Sequence, residues 1–223
     1  METEKAFYDR LESKGVSRRD FMKYCTFLTA AMGLSSSFVP KVAEVFAAPA
    51  QRPPVIWLHF AECTGCSEAV LRSQYPYIDD LILEVLSLEY HETVMAAAGQ
   101  QAEDQLHMAV KKYAGKFICV VEGAIATKFD GGYGKIGGRT FLDIAKEVLP
   151  KAAGVICIGS CSSFGNIQAA KPNPGGYKGV WEVMGIKTVN IAGCPPNPVN
   201  CVGTVVNYLL LGKLTALDNL GRP

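Results

Sequence analysis

The chain has 223 residues, 49% of them hydrophobic, enough to bury a sizeable core in one domain. Its formal net charge of +1 argues against a broad electrostatic grip on nucleic acid, because phosphate binding needs clustered Lys and Arg that release counterions. Eight cysteines are many for this length, yet they lack the tight, even spacing of small disulfide-rich proteins, so metal or redox chemistry becomes the leading explanation.

The first segment reads as an address. Ser17-Arg18-Arg19-Asp20-Phe21-Met22-Lys23 sets two adjacent arginines directly before a moderately apolar stretch over 24–46, a pattern that resembles a twin-arginine export signal. Thr26, Thr29, Gly33, Pro40, Lys41 and Glu44 make that stretch a poor permanent membrane span. Small residues at Ala47, Ala48 and Ala50 offer a cleavage region, so residues 1–50 are set aside from the fold as a removable signal, and Cys25 goes with them. The competing reading is the basic, amphipathic start of an ordinary cytoplasmic helix.

Pro53-Pro54 opens the folded part. Apolar runs at 55–60, 81–88, 117–121, 155–158 and 188–191, bounded by Gly, Pro or charged residues, predict buried strands. Between them, 67–73, 100–113, 140–148 and 199–211 mix apolar and polar positions at helical spacing. Strands alternating with helices across short connections imply an α/β domain over 51–215. Its open, mostly parallel sheet carries helices on both faces.

In such a sheet, ligands collect beyond the carboxyl ends of the strands. The first predicted strand runs into Cys63-Thr64-Gly65-Cys66, the fourth into Gly159-Ser160-Cys161 and the fifth into Gly193-Cys194-Pro195-Pro196. A C-x-x-C pair lets two thiolates converge from one turn, and two cysteines on separate loops complete a four-thiolate set suited to a cubane cluster or to zinc. Gly65, Gly159 and Gly193 permit close approach of backbone to a cluster, and the prolines stiffen the chain after the last ligand. A C-x-x-C alone would equally mark a redox disulfide or half a zinc site; placement at three strand ends is what favours the cluster.

Cys119 and Cys157 lie inside predicted strands and Cys201 in a predicted helix, which is the pattern of core residues. His59, His91 and His107 show no metal spacing. Glu122 follows the third strand and faces the same crevice, either as a proton-handling group or as a structural acceptor that orients a loop. The glycine-rich run Asp130-Gly131-Gly132-Tyr133-Gly134-Lys135-Ile136 fails as a phosphate loop: Ile136 stands where Ser or Thr is required, and no glycine precedes Gly134 by five residues.

The twin-arginine leader, Glu62-Cys63-Thr64-Gly65-Cys66-Ser67-Glu68, Val121-Glu122-Gly123, Gly159-Ser160-Cys161 and Gly193-Cys194-Pro195-Pro196-Asn197-Pro198 together resemble the small subunit of exported nickel-iron hydrogenases over nearly the whole chain. The resemblance implies a flavodoxin-like domain whose Cys63, Cys66, Cys161 and Cys194 hold the proximal [4Fe-4S] cluster. It implies an electron relay with no catalytic residue of its own, the Ni-Fe centre belonging to a separate large subunit. Thr64, Gly65 and Ser67 become candidate hydrogen-bond donors around the cluster, and Glu122 matches a glutamate near it, with a proton or interface role. The implied partners are the large subunit and an electron carrier such as a cytochrome. The implied location is the periplasm, reached by the twin-arginine route, with membrane association through a partner or through regions outside this sequence.

Oxygen-tolerant members of that family carry two extra cysteines around the cluster where this sequence has Gly65 and Asn166, which predicts a standard cubane and an oxygen-sensitive enzyme. Residues 216–223 resemble the start of a C-terminal domain carrying medial and distal clusters. The rival readings are the related subunit of respiratory NADH dehydrogenase, which has adjacent cysteines in its first ligand turn, a structural zinc module, and a flavodoxin-like flavin binder that would leave the cysteines unexplained.

Overall fold

The computed structural model describes residues 2–47, 52–73, 85–212 and 216–223. Five parallel strands form the central sheet in the order β2-β1-β3-β6-β7, from β1 (Pro54–His59), β2 (Ser87–His91), β3 (Ile118–Glu122), β6 (Gly154–Ile158) and β7 (Val189–Ile191). Between β3 and β6 a small hairpin pairs β4 (Lys135–Ile136) with β5 (Arg139–Thr140). Four of the five predicted strands match to within a residue at each end: 55–60, 117–121, 155–158 and 188–191 are matched by Pro54–His59, Ile118–Glu122, Gly154–Ile158 and Val189–Ile191.

The exception is 81–88. Residues 81–84 lie outside the described residues, and Val85 and Leu86 precede the strand instead of forming it. β2 is an edge strand, paired only with β1. It alternates Leu88 and Tyr90 with Ser87 and Glu89, so a search for a continuous apolar run finds the approach to the strand and misses its second half.

The helices, in chain order, are α1 (Glu2–Ser13), α2 (Arg18–Ala31), α3 (Val39–Ala47), α4 (Gly65–Leu71), α5 (Gln100–Lys112), α6 (Phe141–Val148), α7 (Gly159–Phe164), α8 (Asn166–Ala169), α9 (Val180–Met184) and α10 (Pro198–Leu211). The four predicted helices correspond to α4, α5, α6 and α10. Their ends follow ordinary capping: Thr140 accepts a hydrogen bond from Asp143 N at the start of α6, and Asn197 accepts from Val199 N before the N-terminal proline of α10. The short helices α7 and α8 had no periodic signal to reveal them, being barely longer than one turn.

Side chains of successive strand residues divide between two apolar layers, as the pleat requires. Ile56, Leu58, Cys119, Val121, Val155 and Cys157 pack against Leu106 and Val110 of α5 and Ile144 and Val148 of α6. Val55, Ile118, Val120, Ile156, Ile158, Val189 and Ile191 face the other way, onto α4 and onto Val202 and Val206 of α10. Cys119 and Cys157 are therefore core residues, as their positions in the sequence imply.

Residues 2–47 pack against the sheet domain. Set aside as an address, they are helical here, and Phe7, Leu11, Phe21, Cys25, Leu28, Val42 and Phe46 join the second apolar layer. Among the described residues no helix is long and apolar enough to cross a membrane.

Candidate metal centre at the carboxyl edge of the sheet

Strand register decides where the site lies. His59 pairs with Glu122, Glu122 with Ile158, and Ile158 with Ile191, so the last residues of four strands form one row across the sheet. Every loop carrying a candidate ligand starts from that row. Cys63 and Cys66 follow β1, Cys161 opens α7 after β6, and Cys194 lies three residues past β7.

The three loops are tied to one another. Glu122, 1% exposed, accepts hydrogen bonds from Cys66 N and Ser67 N, each at 3.0 Å, and from Ser67 Oγ at 2.7 Å. A carboxylate receiving three donors at the head of α4 fixes the second half of the C-x-x-C turn to the end of β3. Ser160 N donates to Gly193 O at 2.8 Å, and Gly193 N donates to Ser160 Oγ at 3.1 Å, which locks the Cys161 loop to the Cys194 loop. Asn166 Nδ2 reaches Cys161 Sγ at 3.5 Å.

Cys66 is buried, Cys161 half-buried, and Cys63 and Cys194 are exposed. Burial pushes the Cys66 thiol well above its usual range, and the Glu122 charge and the thiols of Cys161, Cys201 and Cys63 push it further. A site that raises a thiol in this way needs a cationic metal to hold the thiolate form. Glycine is required where the chain crowds the sulfurs. At Gly159, φ is +88° and a Cβ would overlap Cys66 Sγ; at Gly65 a Cβ would come 3.2 Å from Cys63 Sγ.

The spacing of the sulfurs discriminates between occupants. Among the described residues, no three of the four thiols have their sulfurs all within 4.8 Å of one another, whereas thiolates around one tetrahedral zinc at 2.3 Å lie about 3.8 Å apart. The thiols as they stand are farther apart than a single tetrahedral ion would hold them.

Two residues gain importance that spacing alone did not give them. His59 and Glu62 meet at 3.4 Å beside Glu122, and the donor atoms of the three lie within 4.8 Å of one another. Both Glu122 oxygens already serve the C-x-x-C turn, Oε2 with two donors and Oε1 with one, so only Oε1 keeps a lone pair for a cation there. His59 packs against His91 with ring centroids 4.7 Å apart and the rings tilted by 59°. Burial depresses the basicity of both rings, His91 down to about 3, and raises the carboxyl of Glu62. Neither histidine has metal-motif spacing; only the pairing of β1 with β2 brings them together. Cys201, half-buried on α10, bonds weakly to Asn197 O, and His107 is engaged with Glu147 at the surface. The glycine-rich run forms the β4–β5 hairpin, where Gly137 and Gly138 supply the two positive φ values of the turn.

Comparison with known proteins gives the family. A family model described as NADH ubiquinone oxidoreductase, 20 Kd subunit, matches residues 63–208. The periplasmic [NiFe] hydrogenase small subunit 1 of Nitratidesulfovibrio vulgaris is 51% identical over 218 residues, a match covering 96% of this chain and 68% of that protein. This chain belongs to the [NiFe] hydrogenase small-subunit family. The periplasmic [NiFe] hydrogenase small subunit of Solidesulfovibrio fructosivorans is 53% identical over 214 residues, covering 96% of this chain and 67% of the relative. A crystal structure of the reduced, active Ni-Fe-Se hydrogenase from Desulfomicrobium baculatum matches with a TM-score of 0.74 at 36% identity, over 78% of this chain and 70% of that one. The flavodoxin-like parallel architecture expected of such small subunits is thus the one observed. Within the broader family, Thr64 and Gly65 separate Cys63 from Cys66, unlike the adjacent cysteines expected of the NADH dehydrogenase subunit.

Proposed function

We propose that this chain is the electron-transfer small subunit of a nickel-iron hydrogenase, holding one proximal [4Fe-4S] cluster through Cys63, Cys66, Cys161 and Cys194. The observation that carries the reading is the cradle itself: four thiols on three interlocked loops at one edge, with glycine where a side chain would strike a sulfur. When bound, the cluster supplies one-electron transfer. The chain's own contribution is to hold the cage in place through Glu122 and the Ser160–Gly193 bonds, and to set its potential by burial and by the Asn166 amide that reaches Cys161 Sγ.

On this reading hydrogen chemistry takes place on a large-subunit partner that holds the Ni-Fe centre, and electrons leave toward a carrier such as a cytochrome. Residues 1–50 are a twin-arginine signal that directs the folded chain to the periplasm. Gly65 and Asn166, standing in place of two further cysteines, favour a standard cubane and an oxygen-sensitive enzyme.

The test is anaerobic production of the full chain with its large subunit, followed by metal analysis and hydrogen-dependent dye reduction. The expected result is a brown complex with about four iron and four acid-labile sulfide per cluster of this type, and loss of dye reduction in Cys194→Ser with the partner still bound. One zinc without sulfide, or full turnover in Cys194→Ser, overturns the proposal. Spectroscopy showing a high-potential second oxidation of the cluster would contradict the oxygen-sensitive assignment.

A further inference from the structure

The leader and the domain it precedes share one apolar layer, and the contact has a defined seat. Both α2 and α3 lie against α10. Along α2, Phe21, Cys25, Leu28 and Thr29 are buried, a stripe at helical spacing, while Phe27 on the opposite face is 57% exposed. The stripe meets α10 at Gly203: a Cβ there would stand 3.4 Å from Leu28 Cδ1 and 3.5 Å from Met32 Cγ. A Cβ would sit there in ordinary van der Waals contact, so the seat takes a small residue and leaves little room for a larger one. On α3, Val42 and Phe46 complete the covering of the same layer, beside Val202 and Val206 of α10.

The arginines are treated differently. Ser17 caps α2 by accepting from Asp20 N, Asp20 in turn pairs with Lys23 at 2.7 Å, and Arg18 and Arg19 stay exposed at the head of the helix, Arg18 stacked over the Tyr8 ring. The charged part of the address is thus presented while the apolar part is stored.

We infer that α10, centred on Gly203, is an intramolecular docking surface for the leader, and that leader-docked and leader-extended states exclude each other because the same Phe21–Leu28 stripe serves both. The docked state keeps an apolar helix out of water before release, and peeling it off uncovers the α10 face. This rests on reading residues 1–50 as an export signal, but the contact itself can be tested without export.

Hydrogen–deuterium exchange on the full, cluster-loaded chain reads the contact directly. Amides of α2 should exchange on the order of tenfold or more slowly than in a synthetic peptide of residues 17–47. Leu28→Asp and Gly203→Trp should each abolish that protection while β3 and β6 keep theirs; Phe27→Asp should leave α2 protected. If Gly203→Trp also loosens β3, Met32→Asp on the leader side replaces it as the reporter. Peptide-like exchange of α2 in the parent chain, or protection that survives both Leu28→Asp and the α10-side or Met32 variant, overturns the inference. An Arg18→Lys, Arg19→Lys double variant separates the two readings: continued export of it defeats the signal assignment while leaving the exchange result intact.

Discussion

Glu122 shows how one side chain can hold the C-x-x-C turn through its backbone. Its two oxygens receive Cys66 N, Ser67 N and Ser67 Oγ in a buried setting, where an unmet donor is expensive. Glu122→Gln would keep one acceptor and turn an amide donor toward donors, destabilising the chain by about 1–3 kcal/mol and lowering iron content in the purified protein. Urea unfolding and iron assay of the variant check both effects; unchanged values in both would reduce Glu122 to a bystander. Gly159 offers a second residue-scale test. An alanine there must adopt φ near +88° and displace Cys66 Sγ, so Gly159→Ala should cost about 1–3 kcal/mol and reduce cluster incorporation more than the equivalent change at exposed Gly138.

At the scale of elements, the sequence was most legible where a residue type has one physical use. Buried strands such as Ile118–Glu122 announced themselves as apolar runs, and α6 by apolar positions at helical spacing, which become its buried Phe141, Ile144, Ala145 and Val148. Thr140→Ala removes the acceptor for Asp143 N and should lower stability by about 1 kcal/mol, read as a shifted urea midpoint with an unchanged slope. The four cysteines were legible for the same reason: each follows a strand end, and parallel strands put all such ends on one side. What was not legible depends on pairing between distant segments. The His59–His91 contact exists because β2 lies beside β1, which no local pattern states. The docking of α2 on α10 passes over Gly203, which in the sequence is simply a weak point in a helix.

For the molecule as a whole, the buried histidines make stability depend on acidity. His91 remains neutral in the folded chain down to about pH 3, whereas the unfolded chain protonates it near 6.5. Between those values the unfolded state binds more protons, so stability falls as pH drops from 6.5 toward 3, by about 2 kcal/mol at pH 5 from this residue. Glu92, whose carboxyl burial pushes up to about 7, acts in the opposite sense as pH rises from its ordinary value. The difference between the parent chain and His91→Gln isolates the histidine: the variant should lose less stability between pH 7.5 and pH 5 in urea titrations. Equal losses in both would show that His91 carries no such linkage.

The level row formed by His59, Glu122, Ile158 and Ile191 makes strand length a ruler for where the cysteines stand. One residue inserted within β6 would carry Cys161 about 3.3 Å along the strand axis relative to its neighbours and swap inward for outward side chains beyond it. The same insertion at the opposite rim, in the turn before Phe117, changes nothing at the sulfur edge. Sequence variation among chains of this design is therefore expected to accumulate at the amino-terminal rim, with the spacing from strand centre to cysteine held constant.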